Sequence, residues 1–168
     1  MKLVTGAAGF IGSNLVAALE KSGDEIAVCD WLEDPEKQCN LAKRTISHEI
    51  RPENLFEFLG EHPDQIDTVF LLGAISSTTE TNVPLITKVN VQLPIQIWNW
   101  CCGNGVRLIY ASSAATYGDG SLGFVDNFSV EALRGLRPLN AYGRSKNQFD
   151  NWVAKQVSTG AAIPPQWV

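Results

Sequence analysis

Charge is scarce in this sequence, and no basic block forms. Of 168 residues 18% are charged, 13 basic against 18 acidic, for a net charge of −5. Nucleic acids and anionic membrane surfaces select basic blocks, so neither is an expected partner. Long apolar runs are also missing, and none approaches the ~18 residues of a membrane span. The chain opens Met1-Lys2-Leu3-Val4-Thr5-Gly6, a strand running straight into a turn rather than the longer apolar run of a secretory signal. The expected location is therefore cytoplasmic. The cysteines are few: Cys29, Cys39, Cys101 and Cys102 match no zinc spacing, and Cys29 and Cys102 lie among apolar residues. They are expected as reduced thiols in or near the core. The two histidines, His48 and His62, sit in polar segments with no second ligand at metal spacing, so no metal is expected. There is no internal repeat, low-complexity tract or linker.

What remains is ordinary globular material, 45% hydrophobic with 14 glycines and 8 prolines. The length suits one domain and is short for two full lobes. Apolar segments at 2–5, 25–30, 67–72 and 106–111 read as strands, and 163–168 as a fifth beginning at the end of the chain. Helical patterns run over 10–21, 52–59, 82–102 and 138–157. Residues 31–49 are irregular and 119–137 loop-like. Trp98, Trp100 and Trp152 are expected to pack rather than bind. Strands alternating with helices predict an α/β fold with a doubly wound parallel sheet.

Residues 5–12, TGAAGFIG, carry glycines spaced G-x-x-G-x-x-G between a strand and a helix. That context is the one in which such a turn binds a dinucleotide. Gly6 permits the turn, Gly9 lets backbone N–H groups approach a pyrophosphate, and Gly12 lets the helix pack closely on the sheet. The helix N-terminus adds unpaired donors and partial positive charge. Asp30 ends the second strand 18 positions after Gly12, near the ~20 expected of a ribose-binding carboxylate. Its charge favours a free 2′-hydroxyl, whereas Lys37, Lys43 or Arg44 would compensate a 2′-phosphate, so NAD and NADP both stay open here.

Tyr142 and Lys146 stand four apart on a predicted helix and share a face. A free phenol is about 0.1% ionised at pH 7. An ammonium ~4 Å away contributes about 4 kcal/mol at an effective dielectric of ~20, which is about what a phenol needs to act as a base near neutrality. Ser113, just after the fourth predicted strand, would complete the set by hydrogen-bonding the reacting oxygen.

Together these motifs resemble the extended short-chain dehydrogenase/reductase superfamily. The match lies in TGAAGFIG at 5–12, YASSAATYG at 110–118 and PLNAYGRSK at 138–146. The run GAISSTTE at 73–80 is similar, within it, to the ADP-L-glycero-D-manno-heptose 6-epimerase family. The resemblance implies a Rossmann domain of the extended type over residues 1–168, binding NADP, with NAD the alternative. Gly6, Gly9, Phe10, Ile11 and Gly12 would line the pyrophosphate turn. Asp30 and Trp31 would sit at the adenosine ribose and Lys37 at the 2′-phosphate. Leu72, Gly73, Ala74, Ser76 and Asn90 would run along the cofactor, while Ser77, Thr78, Thr79 and Ser113 would meet the substrate. Ser113, Tyr142 and Lys146 would form the reaction centre. Trp31 and Leu72 stand where the family carries more polar residues.

The implied reaction inverts C6 of a nucleotide sugar, ADP-heptose, in lipopolysaccharide core precursor synthesis. UDP-glucose 4-epimerases, nucleotide-sugar reductases and a non-catalytic dinucleotide-binding module are the alternatives. A dehydratase would carry an Asp-Glu pair where this chain has Ala114-Ala115-Thr116. Inversion needs acid/base groups on both faces of a transient ketone. The family draws the second from a lysine beyond the next strand, past Val168, and its substrate lobe follows there too. The expectation is thus the N-terminal part of a longer, homo-oligomeric enzyme, inactive alone.

Overall fold

A computed structural model describes residues 1–168, the side chain of Glu36 excepted. The chain divides into two compact units. One comprises Met1–Gly73, Gly103–Tyr110 and Pro165–Val168, and the other Ala74–Cys102 and Ala111–Pro164.

The first unit is built on a five-stranded parallel sheet. Its strands are β1 (Lys2–Thr5), β2 (Ile26–Cys29), β3 (His48–Ile50), β4 (Thr68–Leu71) and β5 (Arg107–Tyr110), in the order β3-β2-β1-β4-β5. All four residues of β2 are buried, which is why this strand is a continuous apolar run rather than an alternating one. The helices are α1 (Phe10–Lys21), α2 (Pro35–Leu41) and α3 (Leu55–Glu61). Val4, Ala7, Ala8, Val16, Ile26, Val28 and Leu41 form one buried cluster between strands and helices. From β1 the chain winds outward to β3, then returns to place β4 on the other side of β1. Strand order reverses between β1 and β4, the place where such sheets put ligands.

The doubly wound parallel sheet matches the sequence expectation, but one strand escapes it. Segment 31–49, read as irregular, contains α2 and leads into β3. This is a three-residue edge strand, His-Glu-Ile, in which Ile50 alone is buried. It is too short and too polar to give a period-2 signal. The segment 163–168, expected as a fifth strand beginning, forms one isolated parallel bridge beside β5: Leu108 N donates to Gln166 O at 3.0 Å and Val168 N to Leu108 O at 3.1 Å. The histidines are not plain surface residues. His48, Phe58 and His62 form an aromatic cluster, with His62 stacked on Phe58 at 4.2 Å between ring centroids. Of the four free thiols, Cys39 is exposed rather than near the core, because it lies on the outer face of α2.

The second unit is helical. α4 (Val83–Thr87), a π-turn (Lys88–Gln92) and α5 (Leu93–Asn104) run on where one helix is expected. Pro94 lacks the N–H that would bond the carbonyl four residues back, so the helical ladder widens just before it. Within the segment read as loop lies α6 (Val130–Gly135), capped by Ser129 Oγ accepting from Ala132 N at 3.2 Å. Helix α7 (Ala141–Ser158) is capped by Asn140 Oδ1, which accepts from Gly143 N at 2.7 Å. Trp98 is fully buried and meets Trp152 edge-on at 5.8 Å.

Candidate functional site

In the first unit the glycine turn leaves β1 and opens α1. Gly6 has φ +66°, a conformation that disfavours any residue with a Cβ, and a Cβ there would also lie 2.7 Å from Gly73 Cα. At Gly12 a Cβ would lie 2.2 Å from the Gly6 carbonyl. Turn, helix and the end of β4 therefore close on one another only because these positions are bare. Thr5 Oγ1 fastens the junction by accepting from Gly73 N at 3.0 Å. Leu72, half-buried, packs on the same core. Gly9 is the N-cap of α1 and carries no side-chain cap, and the first turn has no acidic residue. The N–H groups of Phe10, Ile11 and Gly12 thus begin a helix whose positive end is uncompensated. Phe10 is 86% exposed, so its side chain does not cover them.

Asp30 is tied into this turn. Its carboxylate is 6% exposed and accepts from Ala8 N at 2.9 Å, from Trp31 N at 2.7 Å and from Lys37 Nζ at 2.8 Å. The turn is further held by Asn40 Nδ2, which donates to Ala8 O at 2.9 Å, a contact that no sequence spacing announces. Trp31 is exposed beside it. Lys37 is thus brought to Asp30, whereas Arg44 is not: its guanidinium pairs with Glu20 at 2.8 Å. Lys43 is exposed. A cavity of about 620 Å³ opens beside Asp30, lined by Leu32, Gln38, Ile50 and Phe58 among others, with Glu33, Glu49, Glu57 and Glu61 on its walls and Arg51, paired with Glu33, among them.

The second unit holds the Ser–Tyr–Lys set. Ser113 caps a 3-10 turn (Ala114–Tyr117), its Oγ accepting from Ala115 N at 3.1 Å. Gly143 of α7 lies against this turn so closely that a Cβ there would sit 2.6 Å from Ala115 O. Tyr142 is half-buried at the start of α7, and Lys146 is one turn on. The Lys146 ammonium is 7% exposed and donates to Ala111 O at 2.8 Å. Burial pushes it below the ordinary lysine value, and the nearby Asp150 carboxylate works against that fall.

Asn90 does not present a free side chain. It is 1% exposed in the π-turn, where Oδ1 accepts from Ile75 N at 2.9 Å and Nδ2 donates to Ile75 O and to Ser145 Oγ, both at 3.0 Å. It thereby fixes the start of the segment carrying Ala74, Ser76, Ser77, Thr78 and Thr79. Ser76 to Thr79 are exposed, and Ser77 Oγ and Thr79 Oγ1 lie 2.9 Å apart. Ser112, Ser145 and Asp150 are absent from the sequence expectation. Asp150 stands four residues beyond Lys146, so the spacing that flagged Tyr142 also reaches it. No group of three His, Cys, Asp or Glu that would hold a metal occurs among the described residues, and no helix among them is long and apolar enough to cross a membrane.

The glycine turn fits a dinucleotide: bare glycines, an uncapped twelve-residue helix and a buried carboxylate meet at the strand-order reversal. Known proteins agree with that fit. The sequence model of the NAD dependent epimerase/dehydratase family matches residues 2–163. The ADP-L-glycero-D-manno-heptose-6-epimerase of Fusobacterium nucleatum is 42% identical over 170 residues, covering 99% of this chain and 50% of that protein. The crystal structure of the Helicobacter pylori ADP-L-glycero-D-manno-heptose-6-epimerase superposes with a TM-score of 0.77 at 28% identity, over 92% of this chain and 50% of that one. MoeE5 in complex with UDP-glucuronic acid and NAD superposes with a TM-score of 0.65 at 32% identity, over 91% and 48%. This chain spans about half the length of the relatives it matches.

Proposed function

The chain belongs to the NAD dependent epimerase/dehydratase family, and from that premise we propose that it is the dinucleotide-binding part of a nucleotide-sugar epimerase acting on ADP-heptose. The observation that carries the reading is the Asp30 carboxylate, buried against Ala8 N of the glycine turn and paired with Lys37. When bound, a nicotinamide dinucleotide would supply the reversible hydride acceptance that such a reaction needs.

The residues of this chain would act as follows. The N–H groups at the start of α1 receive the pyrophosphate, with no side chain between them and the anion. Asp30 faces the adenosine ribose, and the cavity beside it has room for a planar base. Lys37 exchanges its partner, leaving Asp30 for a 2′-phosphate, so NADP is the preferred cofactor. That exchange replaces one charge-assisted hydrogen bond by another and covers the carboxylate–phosphate repulsion that NADP would otherwise meet. Ser113 orients the reacting hydroxyl, Tyr142 takes its proton and gives it back, and Lys146 keeps positive charge near the phenol. Ser77, Thr78 and Thr79 supply exposed hydroxyls for the sugar.

Inversion also requires proton transfer at the opposite face of the carbonyl, and one phenol serves one face. The proposal therefore includes that the 168 residues bind dinucleotide and do not epimerise by themselves. The relatives carry about as much chain again. Calorimetry on the purified chain with NADP and with NAD tests the reading. Binding of NADP in preference to NAD is the expected result. A flat titration with both at millimolar concentration overturns it.

A further inference from the structure

Helix α7 buries two opposite charges on one face. Lys146 is 7% exposed and Asp150 5% exposed, one helical turn apart. The reaction proposed above uses the first and leaves the second without a task. A buried carboxylate is costly unless it is hydrogen-bonded or faces a cation, so its presence here asks for a reason. Part of the answer is Ser112, whose Oγ donates to Asp150 Oδ2. Ser112 directly precedes Ser113, and Ala111, just before it, supplies the carbonyl that holds the Lys146 ammonium. One three-residue stretch thus anchors both charges of the helix and carries the serine of the reaction set.

We propose that Asp150, held by Ser112, is a positioning residue for the reaction centre: a buried counter-charge that keeps Lys146 an ammonium in its place on Ala111 O. The inference rests on the function proposed above. The surroundings leave this role to Asp150. The elements packed on α7 include α4, the π-turn, α5 through Trp98, the 3-10 turn and α6. Helices α4 and α5 carry no charge, and burial raises the Cys101 and Cys102 thiols of α5, which keeps them neutral. The π-turn carries Lys88, and α6 carries Glu131 and Arg134. The 3-10 turn carries Tyr117, whose phenol donates to Asp126 at 2.6 Å and is raised chiefly by that bond, with Asp150 adding to the effect. Among these groups, the charge that acts on Lys146 is that of Asp150. Removing it leaves burial unopposed, and the lysine gives up its proton at lower pH. The positive charge one helical turn beyond Tyr142 is then lost.

The test follows Lys146 directly and needs no turnover. The chain is labelled at lysine Cε with carbon-13, the Lys146 signal is assigned by its loss in Lys146→Arg, and its titration is followed by NMR. Asp150→Asn is expected to move the Lys146 midpoint to lower pH, Ser112→Ala to move it the same way by less, and Asp150→Glu to restore it. An unmoved midpoint in folded Asp150→Asn overturns the proposal. If that variant does not fold, an unmoved midpoint in Ser112→Ala does so. NADP calorimetry on the same samples separates the two readings. A moved midpoint in a chain that binds no dinucleotide supports the counter-charge and removes the function. An unmoved midpoint in a chain that binds NADP removes the counter-charge and leaves the function standing.

Discussion

Asn90 Nδ2 donates to Ser145 Oγ at 3.0 Å, and Ser145 Oγ in turn donates to the Tyr142 carbonyl at 2.7 Å. Because Asn90 also holds both backbone groups of Ile75, one buried side chain joins the segment before Ser76 to the first turn of α7. Its Ala variant leaves Ile75 and Ser145 short of partners in a buried place. The expected cost is about 2 kcal/mol. For a chain of this size that lowers Tm by roughly 4–8 °C. Thermal unfolding of Asn90→Ala checks it, and an unchanged Tm would mean that water replaces the amide without loss.

A methyl group at Gly12 would collide with the Gly6 carbonyl at 2.2 Å, and the colliding atom is backbone, which cannot swing aside. Gly12→Ala is therefore expected to push α1 away from the turn and to weaken dinucleotide binding by at least about tenfold, the equivalent of about 1.4 kcal/mol. Gly60→Ala is the control. Nothing lies within 4 Å of a Cβ there, and the position is inside α3. That substitution is expected to leave binding unchanged and to stabilise the fold by about 0.5–1 kcal/mol. Equal effects from the two variants would remove close packing as the reason for glycine at 12.

The glycine turn and α1 were legible because several local signals coincide there. A strand runs into three spaced glycines, and the helix begins at Phe10 as its periodicity requires. The parallel sheet was legible for a similar reason, since buried strands are continuous apolar runs. The edge was not. β3 has three residues and one buried side chain, so nothing in its composition separates it from loop. Site contacts fall along the same line. Asp30 is singled out by its distance from Gly12, but its bond to Ala8 N depends on how β1 and β2 lie side by side. Lys37 and Arg44 look alike in sequence, and only the fold sends one to Asp30 and the other to Glu20. Asn90 shows the same limit: the resemblance places it along the cofactor, and its bonds to Ile75 and Ser145 depend on contacts that no sequence spacing announces.

Acid stability has an identifiable source at Asp67. Partial burial acts to raise its carboxyl, but hydrogen bonds from Lys2, Thr68 and the terminal ammonium of Met1 outweigh it and bring the value down to about 2. A depressed carboxylate contributes stability above its unfolded value, near 3.9, and that contribution is lost as pH falls from there towards 2. Asp67→Asn is expected to flatten this part of the stability profile and to leave the slope above pH 5 unchanged. Urea unfolding at intervals between pH 2 and 6 provides the measurement. A parallel acid slope in wild type and variant would exclude Asp67 as its cause.

Lys37 decides cofactor choice if the exchange of partners proposed for it is correct. Its ammonium pairs with Asp30 at 2.8 Å, and its side chain is 37% exposed, so it can turn outward without unpacking the core. Lys37→Ala removes the cation that a 2′-phosphate would take up and leaves the Asp30 carboxylate facing that phosphate. A hydrogen bond between charged groups is worth about 1.5–3 kcal/mol. NADP affinity is thus expected to fall about 10- to 100-fold. NAD carries no 2′-phosphate and gains nothing from Lys37, so its affinity is expected to hold or to rise as Asp30 becomes free for the ribose hydroxyls. The ratio of the two dissociation constants, measured by calorimetry at fixed ionic strength, reads the effect without reference to fold stability. Equal weakening of both cofactors would show that Lys37 serves the turn through Asp30, and that the 2′-phosphate is read elsewhere.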